Sequence, residues 1–143
     1  MHPRIFSRRE AAQSMAELAI SLTMLLFLFS GAVDLGRAMW ALISIRDAAE
    51  EGAVYGSLFP ADTSGIITHA RQSSNNPINL SDVVAVDVVV NTLGGSCAGS
   101  GNAIQVIVSY DFLVTTPLIG VFFPGNIIPL SATIINTILR PAC

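Results

Sequence analysis

The sequence predicts an α+β protein: a long N-terminal helix that crosses a membrane in its first half, carrying a small antiparallel sheet head. Three observations predict it. Leu18 to Val33 (LAISLTMLLFLFSGAV) holds no charge and is polar only at Ser21, Thr23 and Ser30. Past Val83, apolar and polar residues alternate at the period of a strand. The chain of 143 residues is 52% hydrophobic and 12% charged, with a mean hydropathy of +0.63. That is too apolar for an ordinary soluble domain and too poor in charge for a disordered one. The length holds one domain at most, which argues against a large enzyme. A net charge of -3, with scattered arginines and no lysine, gives no basic patch for nucleic acid.

The helix comes first. Arg4, Arg8 and Arg9 precede the apolar run, while Asp34, Asp47, Glu50 and Glu51 follow it. The positive-inside rule then puts the N-terminus in the cytoplasm and the head outside, with Arg37 and Arg46 weakening the bias. The uncharged core spans about 24 Å as a helix and reaches membrane length, about residues 15–33, only by including Met15, Ala16 and Glu17. Beyond it, Leu35, Met39, Leu42, Ile45, Ala49 and Ala53 continue an apolar stripe at spacings of three and four. Asp34 with Arg37, and Arg46 with Glu50, are spaced to pair on its surface. One helix from Gln13 to about Tyr55 reaches roughly 65 Å, so its upper part emerges to pack on the head. A competing fate is an ordinary secretory signal: basic residues, an apolar core from Leu18 to Phe29, then Ser30-Gly31-Ala32, with cleavage after Ala32 releasing a soluble protein.

Glu17 is the anomaly, because a carboxylate at the start of a span is unfavourable without a partner. It suits the positive end of the helix dipole. It also suits a more specific arrangement, since RREAAQSMAELAISL is a basic leader, a small residue, four residues and a glutamate ahead of the apolar run. This resembles a type IV prepilin signal, with Ala12 at the position usually held by glycine. The resemblance implies cleavage by a prepilin peptidase between Ala12 and Gln13. Glu17 would then be the fifth residue of the mature chain, able to meet the N-terminal amine of a neighbouring subunit.

The longer stretch from Gln13 to Gly56 resembles the N-terminal signature of the TadE-like proteins, minor pseudopilins of tight-adherence (Tad) pilus systems. The matching positions are Glu17, then Val33-Asp34-Leu35-Gly36-Arg37-Ala38, then Asp47-Ala48-Ala49 with Gly52-Ala53. The resemblance implies the lollipop of pilin-like subunits, divided into a leader (1–12), a long helix (13–57) and an extracytoplasmic head (58–143). It also implies a non-enzymatic role in assembling an adhesive pilus. The implied partners are other pilin-like subunits, an inner-membrane platform, a secretion ATPase and the prepilin peptidase, besides membrane lipid. Whether such a protein enters the filament or stays in the inner membrane is left open. The competing function is a membrane-anchored or secreted binding module, with loops around Ser96 or Phe122 as its recognition surface.

In the head, Ile66, Ile67 and Ala70 suggest a short helix capped by Asp62, Thr63 or Ser64. Val83 to Val90 and Ala103 to Val114 read as two strands of a hairpin. One face carries Val84, Val86, Val88 and Val90, and the other strand matches it with Ile104, Val106, Val108, Tyr110, Phe112 and Val114. A third strand is expected near Ser131 to Leu139. The apolar link Thr116 to Leu130 contains three prolines, which exclude an interior strand and suit either a cover over the core or a partner-facing patch.

Of the two histidines, His2 goes with the leader, and His69 alone supports neither a metal site nor a triad. Gly94, Gly95, Gly99 and Gly101 lack the Lys and Ser/Thr of a phosphate loop. No cofactor or small-molecule substrate is expected. Cys97 and Cys143 are a candidate disulfide in an extracytoplasmic head, with two unpaired thiols as the alternative.

Overall fold

The computed structural model describes residues 5–74, 76–97, 101–116 and 123–140, with side chains described from Ala12 onward except that of Pro124. Helix α1 (Ile5–Leu58) is one unbroken rod of 54 residues. No proline interrupts it until Pro60, and the N–H of Phe59 closes its last turn on the carbonyl of Tyr55 at 3.0 Å. It therefore begins inside the leader, eight residues before Gln13, and ends one residue beyond the expected boundary.

α1 is divided by what its side chains touch. From Ala12 to Phe29 every side chain is exposed, and the helix contains an 18-residue window with a mean hydropathy of 2.0, of which 6% is buried. By length and composition this segment can cross a membrane, and its exposure sets it apart from the core helix of a soluble protein.

The upper half packs on the head through small residues. Ala41, Ala48, Ala49 and Ala53 are buried, with Ile45 as the large side chain among them. A Cβ on Gly52 would lie 3.1 Å from Cβ of Ala70, and one on Gly56 3.0 Å from Cγ1 of Ile104. Helix and sheet are thus in contact at backbone range. The expected stripe is correct from Leu42 onward and wrong at its start. Leu35 is 66% and Met39 53% exposed, because the face turned to the head runs through Asp34, Ala38 and Ala41 instead. Large side chains there would hold the sheet away.

Helix α2 (Thr63–Gln72) packs against α1. Of the three candidate caps the structure uses Asp62, which accepts the N–H of Gly65 at 2.9 Å. Asp62 also accepts the hydroxyls of Ser64 at 3.0 Å and Tyr55 at 2.9 Å. The Gly65 bond foremost, then those hydroxyls, holds the Asp62 carboxyl below its ordinary range. Arg71 then donates to the carbonyls of Leu80 at 3.0 Å and Val86 at 3.0 Å, fastening α2 to the chain entering the sheet.

The sheet has three antiparallel strands in the order β1 (Val86–Leu93), β2 (Ala103–Leu113), β3 (Ile127–Thr137). The predicted hairpin is present, with Val86 opposite Tyr110 and Leu93 opposite Ala103. β2 ends one residue short of expectation, at Leu113, while β1 is shifted three residues along the chain, to Val86–Leu93, and β3 ends at Thr137. β1 starts at Val86, since Asp82 takes the Val84 N–H on its side chain at 2.9 Å and the Val86 N–H on its carbonyl at 3.0 Å. Those bonds make residues 83–85 a turn and leave Val84 92% exposed.

β3 begins four residues before the expected start and includes Pro129, which stands opposite Asp111. Lying at the sheet edge, β3 spares a proline the ladder bond it cannot make. The link between strands is correspondingly shorter, and residues 117–122, which include Phe122, lie outside the described residues. Past β3, the N–H groups of Leu139 at 2.9 Å and Arg140 at 3.3 Å both reach the carbonyl of Ser57, tying the last strand to the end of α1.

The close helix–sheet contact generates a paired prediction. Gly56→Val, which overfills the contact with Ile104 and Ile66, should lower unfolding stability by about 1–3 kcal/mol. Gly36→Ala, where a Cβ meets nothing within 4 Å, should leave stability unchanged or raise it by up to about 1 kcal/mol. Thermal unfolding of the detergent-solubilised chain reads both.

Candidate functional site

Two places on α1 carry the residues singled out from the sequence, and the helix holds them apart by roughly 26 Å. At the lower place Ala12, Gln13 and Glu17 are all exposed. Gln13 Nε2 donates to Glu17 Oε1 at 3.0 Å across one helical turn. The carboxylate thus lies on the exposed surface of the helix, one turn above Gln13.

The upper place lies where the apolar segment ends. Asp34, just beyond residues 15–33, is 5% exposed. Its Oδ2 accepts three bonds from the chain leaving β2: Thr116 N at 2.7 Å, Thr116 Oγ1 at 2.5 Å and Thr115 N at 3.1 Å. Its Oδ1 takes Arg37 Nη1 at 3.0 Å. The same Nη1 donates to Thr115 Oγ1 at 2.7 Å, and the guanidinium stands 5.4 Å from the ring centre of Phe112. One turn below, the hydroxyls of Ser30 and Thr116 share a 2.9 Å bond.

These donors, the Thr116 hydroxyl foremost, hold the Asp34 carboxyl below its ordinary range against the opposing pull of burial. The arrangement binds the head to α1. Its strength comes from charge-assisted bonds to two backbone N–H groups.

Among the described residues, Asp34–Arg37 is the one ion pair. The expected Arg46–Glu50 pair is not made. Gly36, the third residue of that signature, faces away from the head and is exposed. Thr115, Thr116, Ser30 and Phe112 were not singled out from the sequence. The Thr115-Thr116 pair directly after the expected strand is the available signal, with Thr116 read as the first residue of the apolar link.

A recess of about 190 Å³ lies between α1 and the turn at Pro77–Ile78. Arg37 is its charged lining group and is already committed to Asp34 and Thr115. Among the described residues no group of three or more His, Cys, Asp or Glu side chains is placed to hold a metal. His69 stacks on Tyr55 with ring centres 4.1 Å apart. Cys97 is engaged, and Cys143 lies outside the described residues.

A single outward-facing apolar helix with a small head latched to its upper half is a lollipop, a build that fits a membrane anchor. A family model described as TadE-like protein matches residues 12–54, covering Glu17, Asp34, Gly36 and Arg37. Over that segment, residues 12–54, the chain is similar to the TadE-like proteins. No curated protein and no solved structure matches the chain significantly.

Asp34→Ala strands two backbone donors and should cost about 2–3 kcal/mol in unfolding stability. The pH dependence has a definite sign. Because the native Asp34 carboxyl titrates below its ordinary value of 3.8, its contribution is full above that value and fades as pH falls through the lower native one. Asp34→Asn should flatten this acid limb in unfolding curves recorded at successive pH values.

Proposed function

We propose that the protein is a non-enzymatic minor pseudopilin of a Tad-type pilus or secretion system. In this reading a prepilin peptidase cuts between Ala12 and Gln13. Residues 15–33 hold the mature chain in the inner membrane with its N-terminus cytoplasmic and its head outside. Glu17 then meets the freed amine of a neighbouring subunit, so that assembly proceeds by helix packing.

One observation carries this. The TadE-like match at 12–54 takes in both the part of α1, Ala12 to Phe29, whose side chains are all exposed, and the Asp34 contact that latches the head above it. Ala12 and Gln13 are exposed, as a cleavage site requires, and Glu17 is exposed beside Gln13, whose amide it accepts. An anchored binding module would leave Glu17 idle.

The head would be braced by a Cys97–Cys143 disulfide. Supporting that pairing, Asn102 Nδ2 holds the Cys97 carbonyl at 2.8 Å while the Asn102 carbonyl accepts Ile138 N at 3.3 Å. The chain beyond β3 therefore returns to the loop that bears Cys97. Closing about 47 residues stabilises by roughly 4 kcal/mol on the loop-entropy model.

The test is the N-terminal sequence and intact mass of the protein from the membrane fraction of its own host. A chain beginning at Gln13 is expected. A start at Val33 would mean a secreted domain, and an uncut Met1 a plain anchor, either of which overturns the proposal. Glu17→Ala should leave the cut and the membrane level unchanged and abolish co-purification with other pilin-like chains, whereas an anchor would tolerate it. Alkylation of Cys97 only after reduction, together with retarded migration once reduced, checks the disulfide.

A further inference from the structure

The face of α1 opposite the head forms a regular seam. Every seventh residue from Leu22 lies on it: Leu22, Phe29, Gly36, Ile43 and Glu50. A second series at the same interval, from Leu25 through Ala32 and Met39 to Arg46, interleaves at spacings of three and four. All of these residues are exposed, whereas Asp34, Ala41 and Ala48, half a turn round, are buried against the head. More than three heptads of such spacing is the pattern of a helix that packs along another helix. Lipid can cover its lower part, but Met39, Trp40 and Ile43 lie above Asp34, outside the span. Large exposed apolar side chains there call for a protein partner.

We infer that this seam takes the same seam of a second copy of the chain, parallel and displaced along the axis by four residues, roughly 6 Å. The proposal rests on the pseudopilin reading, which orients all copies alike in one membrane. Copies in register would set Arg46 against Arg46 and Glu50 against Glu50, like charges at close range. Among the described residues neither side chain has an ion-pair partner.

A displacement of four residues resolves this conflict. It puts Arg46 of one copy beside Glu50 of the next. It brings Trp40, 56% exposed, to Gly36, where a Cβ would meet nothing within 4 Å, so a large knob faces an open hole. The same step sets Glu17 of one copy level with Gln13 of the other, the contact that subunit assembly by Glu17 requires. Charge, size and the N-terminal amine select one register.

Cross-linking tests it in the full chain, in its host membrane. Two tagged copies are co-expressed, one with Gly36→Cys and the other with Trp40→Cys, and oxidised. Native Cys97 is engaged, and the unsubstituted chain sets the background. The mixed 36–40 link should exceed both the 36–36 and the 40–40 links, and an Arg46→Cys copy with a Glu50→Cys copy should behave alike.

Dominant 36–36 links would mean copies in register and overturn the inference. Links only to another chain, or none at either pair, would overturn it too. N-terminal sequencing of the same samples separates the two proposals. A Gln13 start without mixed links removes the seam and leaves the pseudopilin, and mixed links on an uncut chain do the reverse.

Discussion

The carboxylate of Asp34 is the point on which the rest of the molecule depends. It is buried where the apolar helix emerges, a costly place for a charge. The cost is offset because Oδ2 collects the two backbone N–H groups and one hydroxyl that β2 delivers as it ends. Arg37, one turn above, supplies the opposite charge while remaining half in solvent. Its second bond, to Thr115, makes helix and head share one cation. The head is thereby pinned at the foot of its contact with α1, and the return of Leu139 and Arg140 to Ser57 pins it at the top. Hydrogen bonds at both ends thus fix which face of the helix the head covers.

That fixation lets one helix serve separate surroundings without conflict. Its lower half is exposed on every side and, from Leu18 to Phe29, apolar but for Ser21 and Thr23, which fits a membrane anchor. Its upper half is small and apolar on one side, where Gly52 and Gly56 admit Ala70 and Ile104 at van der Waals range. On the other side it remains large and exposed. Leu42 and Ile45 turn toward the head while Met39 and Ile43 turn away and Trp40 stands exposed at the rim of the recess beside Pro77 and Ile78, so the upper half is more apolar than a solvent-facing helix needs to be.

Much of this was legible in the sequence. The long helix, the hairpin and the α2 cap follow from charge-free length, period-two alternation and an Asp ahead of an apolar triplet. What escaped has physical causes. The helix stripe was traced through the largest apolar residues, Leu35 and Met39, but close packing on a sheet selects the smallest. The start of β3 was hidden because Ile127-Ile128 and Ile134-Ile135 place isoleucines on both faces, and because Pro129 forbids a central strand without forbidding an edge. The partners of Asp34 were invisible since their sequence separation exceeds 80 residues. A carboxylate's need for donors can be read locally, but the residues that supply them cannot.

The glycines of α1 sharpen the distinction between what serves the fold and what lies beyond it. Glycine within a helix costs about 1 kcal/mol relative to alanine, so each one asks what the missing side chain allows. At Gly52 and Gly56 the answer lies within the chain, where Ala70, Ile66 and Ile104 occupy the space a Cβ would need. At Gly36 the chain offers no answer, for nothing approaches within 4 Å. Yet Gly36 sits two residues from Asp34, in the best-secured stretch of the helix, where the backbone is needed straight and rigid. The seam proposed above would account for a glycine that brings no gain to the packing of its own helix, since the open space at Gly36 is where Trp40 of the second copy would sit.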